Sequence, residues 1–188
     1  SFHFIFVLFI TICVTLHALC ALRRFPTSYH QCRDIKAHYR LLRHPDTTLW
    51  MIQLVTAFLL FLFVFPHVMG MLTNPSGFDP NLIGVHTYHS GMLYTFIFLV
   101  ITELHGMIGL YRLAVKWDIF AKNPERDIID QRVGDRAGLR KTMLVIAFLM
   151  IVCGTLTAWT NYSIGAEQVE AGQEAARYVI PDELNWWK

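Results

Sequence analysis

Charged side chains are scarce in this sequence. Asp, Glu, Lys and Arg make up 16% of its 188 residues, whereas 54% of the residues are hydrophobic. Soluble domains usually contain about 25% charged residues, so this composition excludes an ordinary water-soluble domain and indicates that lipid surrounds much of the surface. The formal net charge of only +2 gives no support to nucleic-acid binding.

Cysteine is also sparse, and its positions suit neither a disulfide framework nor a zinc site. Cys13, Cys20 and Cys153 lie in apolar runs, and Cys32 lies in a basic segment. Regular cysteine spacing, including CxxC pairs, typically indicates a disulfide framework or a zinc site. This sequence has no CxxC pair. We therefore expect neither.

An initiator methionine and a basic leader are absent from the start of the sequence. It begins at Ser1, and an apolar run starts immediately at Phe2. A signal peptide would carry a positively charged region before its apolar run. We therefore expect the chain to be a fragment of a longer protein.

Long apolar runs are what the sequence has in abundance. A membrane-spanning helix needs about 20 mostly apolar residues, and four segments meet this requirement: 2–22, 48–72, 90–116 and 142–162. No internal repeat or low-complexity linker separates them. We predict one all-α domain over residues 1–188, a transmembrane helical bundle with four spans.

Basic residues cluster at alternate ends of these spans. The segments 23–46 and 112–141 are rich in Lys and Arg, whereas 73–90 contains neither. Because loops rich in Lys and Arg stay in the cytoplasm, we predict both basic segments inside. Residues 73–90 and the tail after Tyr162 are then predicted outside, so the chain is a multi-pass membrane protein.

The second span is preceded by a typical helix-start pattern. Asp46, Thr47 and Thr48 are candidate N-caps, and Pro45 suits the turn just before them.

Four ionisable side chains lie at membrane depth, namely His17, His67, Glu103 and His105. Because ionisable groups cost free energy inside a bilayer, such residues are functional candidates. At 1.5 Å per residue, His17 lies about 9 Å from Arg23, and His105 lies about 10 Å from Arg112. Their two helices run in the same direction, so the two imidazoles reach the same level.

Two imidazoles at one level on facing helices are the arrangement that a six-coordinate haem requires. Gly106 and Gly109 have no side chains and would let a flat macrocycle approach their helix. Haem propionates need cations, and four basic residues lie one or two turns beyond the pair: Arg23, Arg24, Arg112 and Lys116. We predict His17 and His105 as axial haem ligands. The alternative for each is a neutral imidazole hydrogen-bonded to a neighbouring helix.

His67 lies about 10 Å from the opposite surface and cannot share that haem. It implies a second site with a partner at similar depth, for which the candidates are His3, His86 and His89. The last two can equally face water or a quinone. Pro66 removes a backbone donor, so we predict a kink that frees the carbonyl of Leu62.

Glu103 stands two residues before His105, and successive helical residues turn by about 100°. The carboxyl is therefore predicted to point to a different side of the helix from the imidazole. A buried carboxyl can be neutral and structural, or it can relay protons. The sequence leaves both roles open.

Several motifs together resemble one known family. They are His17, Leu22 to Pro26, Arg43 to Trp50, Ile52 and Gln53, His67, Glu103 to Gly106, and Gly109 to Trp117. In these residues the chain resembles the dihaem cytochrome b anchor of quinol:fumarate reductases, over a stretch from about residue 10 to 160.

The resemblance implies a five-helix subunit of the bacterial inner membrane that carries two b haems. It would dock onto a flavoprotein and an iron–sulfur subunit on the cytoplasmic side. The resemblance leaves open whether two such heterotrimers form a dimer. Menaquinol would be oxidised near the outer side, and electrons would pass through the outer and then the inner haem to the iron–sulfur subunit. Fumarate would be reduced on the flavoprotein, so no dicarboxylate site is expected on this chain.

Residue by residue, the resemblance assigns His17 and His105 to the inner haem and His67 to the outer haem. The family's first helix, which supplies the other outer ligand and the quinol-site acid, has no counterpart in this sequence. We therefore expect that ligand to come from a helix before Ser1 rather than from His3.

Three further residues take roles from the same resemblance. Glu103 matches a glutamate proposed to carry protons during menaquinol oxidation. Trp50 matches a tryptophan near the outer haem, and Lys116 matches a basic residue near the inner haem propionates.

Other functions remain open at this point. Within the same chemistry, the alternatives are a succinate dehydrogenase working towards the quinone and the cytochrome b anchor of a hydrogenase or formate dehydrogenase. The alternative of a different class is a haem-free transporter or a purely structural anchor, whose buried histidines would join helices or carry protons.

Overall fold

All regular elements in the described part of the chain are helices. The computed structural model describes residues 2–23, 25–42, 44–73, 79–117, 119 and 128–173. The helices are α1 Phe2–Leu22, α2 Tyr29–Leu42, α3 Pro45–Thr73, α4 Pro80–Ser90, α5 Met92–Lys116 and α6 Ile128–Glu170. Within these ranges α1, α3, α5 and α6 are long and apolar enough to cross a membrane. The prediction of an all-α transmembrane bundle is confirmed.

Two helices, α2 and α4, lie in segments that the sequence analysis left without secondary structure. The start of α4 has a clear physical cause: the Asp79 carboxylate accepts a hydrogen bond from the main-chain N–H of Asn81 (3.0 Å), and Pro80 occupies the first helical position. Gly91, at φ +84°, ends α4 and precedes α5. The predicted span 90–116 is therefore a helix from Met92, preceded by a separate short helix.

The starts and ends of two other spans also differ from the prediction. The carbonyl of His44 accepts hydrogen bonds from the N–H groups of Thr47 and Thr48, both at 3.1 Å. His44 thus precedes the first turn, and Pro45 is the first helical residue rather than part of the preceding turn. The helix α6 extends well beyond 142–162 at both ends, because each residue added to an existing helix gains a backbone hydrogen bond even where the sequence turns polar.

The order of packing places α3 between α1 and α5. The helix α5 also packs against α6, and α4 packs against both α6 and α5. The contact of α4 with α6 is close, because a Cβ on Gly165 would overlap the main chain of Gly84. Small residues of this kind let two helix backbones approach in a membrane bundle.

The end of the bundle where α1 and α5 finish and α3 begins is called the basic end. The opposite end is called the far end. A polar contact joins three helices at the basic end. The buried Tyr111 of α5 donates a hydrogen bond to Asp46 Oδ1 of α3 (2.7 Å). Arg140 Nη1 of α6 lies 3.7 Å from the same oxygen. Leu49 and Ile108 form the buried apolar cluster around this contact.

Large apolar side chains cover the outside of the bundle. Phe9 is 63% exposed, Phe65 68% and Leu156 63% in the chain by itself. Exposed apolar surface on this scale is unfavourable in water, whereas helices with satisfied backbones suit a lipid environment. The surface agrees with four membrane-crossing helices.

Candidate haem-binding site

The structure brings His17 and His105 together, as the matched depths predicted. His17 lies on the last turns of α1 and His105 lies in the second half of α5. Their ring centres are 6.4 Å apart, and the ring planes are at 89° to each other. Both rings lie near the basic end, beside α3.

This separation can be compared with what a shared metal ion would need. A metal–imidazole bond of about 2 Å, and about 1 Å from each bound nitrogen to its ring centre, put two axial imidazoles roughly 6 Å apart. Two rings bound along one axis can have any angle between their planes, since each can rotate about its own bond. The observed 6.4 Å and 89° therefore fit bis-histidine ligation of a haem iron.

A threonine of α3 holds the His105 ring from the side. Thr56 Oγ1 lies 3.3 Å from His105 Nδ1, and the same oxygen lies 2.9 Å from the carbonyl of Ile52 and 3.1 Å from that of Gln53. Thr56 is only 6% exposed. The sequence analysis missed this residue because it searched the spans for ionisable groups, and the only available signal was a hydroxyl in an apolar run.

A second polar residue of α3 contacts α5 one turn nearer the basic end. Gln53 Oε1 accepts a hydrogen bond from the guanidinium of Arg112, and Gln53 Nε2 is 3.0 Å from where a Cβ on Gly109 would lie. Gly109 therefore makes room for Gln53. By contrast, a Cβ on Gly106 would meet nothing within 4 Å, so of the two glycines only Gly106 has the open side that a flat group needs.

The other predicted cations have different positions. Arg23 and Lys116 are exposed at the basic end, and Lys116 Nζ lies 6.0 Å from the centre of the Trp117 ring. Arg24 lies outside the described residues. Arg23, Arg112 and Lys116 thus lie at the end of the bundle where the haem-propionate prediction put them.

The position of Trp50 differs from the one that the resemblance implied. It lies near the start of α3, about 25 Å along the helix from His67. The prediction placed it near the outer haem, but α3 places it at the basic end, with His17 and His105.

The surroundings of His67 include an aromatic ring and a second histidine. Its ring lies against Phe98 of α5, with centres 5.1 Å apart and planes at 54°, and His86 of α4 is close enough to interact with it electrostatically. The side chain of His3 lies outside the described residues. The structure therefore places His67 at the far end without deciding its predicted partner.

Pro66 does not interrupt α3, which runs without a break to Thr73. The carbonyl of Phe63, the residue after Leu62, accepts a hydrogen bond from the Tyr94 hydroxyl (3.1 Å). The Tyr94 and Phe63 rings also stack, with centres 5.2 Å apart. Tyrosine from α5 thus contacts the backbone of α3 in the turn before the proline.

Glu103 is half-buried on α5. Among the side chains that the structure describes, we find no hydrogen-bond or ion-pair partner for its carboxyl. It is not part of the His17–His105–Thr56 cluster, which agrees with the prediction that it points elsewhere.

The bundle and this site describe a multi-pass membrane protein that holds paired histidines between its helices. Residues 30–158 match the family model described as the succinate dehydrogenase/fumarate reductase transmembrane subunit. The chain belongs to that family, and the prediction of a multi-pass protein of the bacterial inner membrane is confirmed. The resemblance seen in the sequence was to this family.

Two curated relatives illustrate the similarity. The chain is 36% identical over 173 residues to the fumarate reductase cytochrome b subunit of Helicobacter pylori (strain ATCC 700392 / 26695), covering 91% of this chain and 63% of the relative. It is 36% identical over 169 residues to the fumarate reductase cytochrome b subunit of Wolinella succinogenes, covering 89% and 61%. The chain spans about three-fifths of the length of these relatives.

Proposed function

We propose that this chain is the haem-b-carrying membrane anchor of a fumarate reductase. In this proposal it takes electrons from menaquinol and delivers them to an iron–sulfur subunit and a flavoprotein subunit on the cytoplasmic side, where fumarate is reduced to succinate. The name shared by the relatives, fumarate reductase cytochrome b subunit, supports both the haem and the assembly. A dimer of heterotrimers stays a prediction.

The observation that carries the proposal is the His17–His105 pair. Two imidazoles with ring centres 6.4 Å apart, on different helices and at one depth, match the spacing of two axial ligands. A transporter or structural anchor would need neither the equal depth nor this spacing. A bound haem would supply one-electron transfer through the membrane.

The chain's own side chains would hold and orient that group. His17 and His105 would ligate the inner haem, and His67 would ligate the outer one. Arg23, Arg112 and, outside the described residues, Arg24 would provide cations at the basic end. Lys116 would add a further positive charge there.

Glu103 is proposed to carry protons during menaquinol oxidation. Its position inside a span and its half-buried carboxyl support this role, because a buried ionisable group without function is costly. Glu103→Gln keeps the shape but removes the ionisable proton. We expect it to retain both haems and lose menaquinol-driven fumarate reduction, measured with a menaquinol analogue. Unchanged turnover would restrict Glu103 to a structural role.

The direct test uses the full-length chain in its intact complex. We expect the reduced-minus-oxidised spectrum to show a b-type signal and haem analysis to give two haems per anchor. A complex without any b-type signal would contradict the proposal and favour the haem-free alternatives. Parallel assays with fumarate, succinate, formate and hydrogen separate fumarate reductase from the related anchors, because the ligands alone do not set the direction of turnover.

A further inference from the structure

Thr56 touches a proposed haem ligand, and the hydrogen bonds of its hydroxyl decide which nitrogen of that ligand carries a proton. A threonine hydroxyl has one proton to donate and lone pairs to accept with. At Thr56 the two carbonyls of the preceding turn lie at 2.9 Å (Ile52) and 3.1 Å (Gln53) from Oγ1. Both are nearer than His105 Nδ1 at 3.3 Å. A carbonyl can only accept, so the hydroxyl proton points into its own helix.

With its proton used in this way, Thr56 Oγ1 can only accept from His105. For the contact to be a hydrogen bond, the His105 ring has to donate through Nδ1–H, and the main chain of Gln53 is a second hydrogen-bond partner of this ring. In the neutral imidazole the other nitrogen, Nε2, then carries the lone pair. Nε2 is the nitrogen that is left to bind a metal. The hydrogen bond made by one ring nitrogen selects the tautomer and thereby the ligating atom.

We infer that Thr56 is a positioning residue for the inner haem, which fixes the tautomer of His105 and strengthens it as a ligand. This inference rests on the proposed function, since it concerns the haem that His17 and His105 would hold. A histidine ligand whose second N–H has an acceptor is a more basic ligand than one without. Because a more basic ligand favours the ferric state, the Thr56 hydroxyl is expected to lower the midpoint potential of this haem.

The burial of Thr56 makes the contact effective. Its side chain is 6% exposed, and its helix, α3, packs against both α1 and α5, which carry the two histidines. No competing water is expected at an apolar helix contact within a membrane. The hydrogen bond is therefore worth more here than at a surface.

The test compares Thr56→Val with Thr56→Ser in the intact complex. Valine keeps the branched shape and removes the hydroxyl, whereas serine keeps the hydroxyl. Thr155→Val is the matched control, because Thr155 Oγ1 donates to the carbonyl of Ile151 (2.7 Å) on α6, a helix that carries neither histidine. Spectroelectrochemical titration gives the midpoint potential of each haem, and haem analysis gives the occupancy.

We expect Thr56→Val to raise the midpoint potential of one haem and leave that of the other unchanged. Thr56→Ser and Thr155→Val should titrate like the wild type. Loss of one haem in Thr56→Val with full retention in Thr56→Ser would also support the inference, because it traces binding to the hydroxyl. A Thr56→Val titration identical to the wild type would overturn it, as would equal haem loss in the valine and serine variants. Absence of b haem from the wild-type complex would instead contradict the proposed function.

Discussion

The basic end and the far end of this bundle each carry a candidate haem ligand at membrane depth, but they differ in what surrounds that histidine. At the basic end, α1 and α5 bring two imidazoles to a ring-centre distance of 6.4 Å, and α3 adds the Thr56 hydroxyl. At the far end, His67 lies against Phe98. His86 of α4 also lies close enough to interact with His67 electrostatically, but among the described residues the ring-to-ring contact of two imidazoles is the one at the basic end.

The two ends are also held together differently. At the basic end, Tyr111 and Arg140 meet the carboxylate of Asp46, so that polar groups join α3, α5 and α6. At the far end, glycine contact between α4 and α6 and stacking of aromatic rings provide the cohesion, as at Gly84 and Gly165. The polar contact at the basic end therefore fixes α3 and α5, which carry Thr56 and His105, against α6.

The largest effect is expected from removing one of the paired histidines. His17→Ala or His105→Ala should abolish one haem and leave the other, so that the b-type absorbance of the complex falls to about half. His38→Ala, in the exposed part of α2, is the control and should retain the full spectrum. Two haems in both His17→Ala and His105→Ala would contradict the assignment of these histidines as a ligand pair and would remove the difference between the two ends.

His67→Ala should remove the haem that survives in those variants. Its loss should leave the haem assigned to His17 and His105 with its wild-type midpoint potential. His86→Ala sharpens the comparison, since His86 interacts with His67 and is one of the candidates for its partner. We expect His86→Ala to keep both haems. Loss of the same haem in both variants would identify His86 as the partner.

A smaller, purely structural effect is expected from Gly165→Ala. The added methyl group would overlap the main chain of Gly84, which cannot shift as a flexible side chain can. Overpacking of this kind typically costs about 1–3 kcal/mol. Gly138→Ala on the same helix meets nothing within 4 Å and should be neutral or stabilising by up to about 1 kcal/mol. Thermal unfolding of the purified complex measures both, and equal stability of the two variants would contradict the close contact.

Much of the bundle was predictable because hydropathy and helix geometry determine it directly. An apolar run of sufficient length has few alternatives to a spanning helix, so all four spans were found. The pairing of His17 with His105 followed from the rise per residue and the alternating direction of the helices. Both inferences use distance along a helix, which the sequence contains.

What could not be predicted depends on how helices face each other or on helices outside the membrane. The polar helix α2 has no apolar run of membrane length. The helix α4 lies in residues 73–90, which were used only to assign the side of the membrane from their lack of Lys and Arg. Thr56 could not be assigned to His105 without knowing that α3 presents it towards α5. The resemblance put Trp50 near the outer haem, but its position near the start of α3 puts it at the basic end. Resemblance alone therefore did not place this residue.

The account depends most on what lies between His17 and His105. An experimental density map of the complete complex, containing the full-length chain and its partner subunits, tests this directly. We predict flat density the size of a haem between the two side chains, with both imidazoles directed at its centre and with Thr56 against His105. Density showing the two rings in direct protein contact, or turned away from each other, would contradict the account.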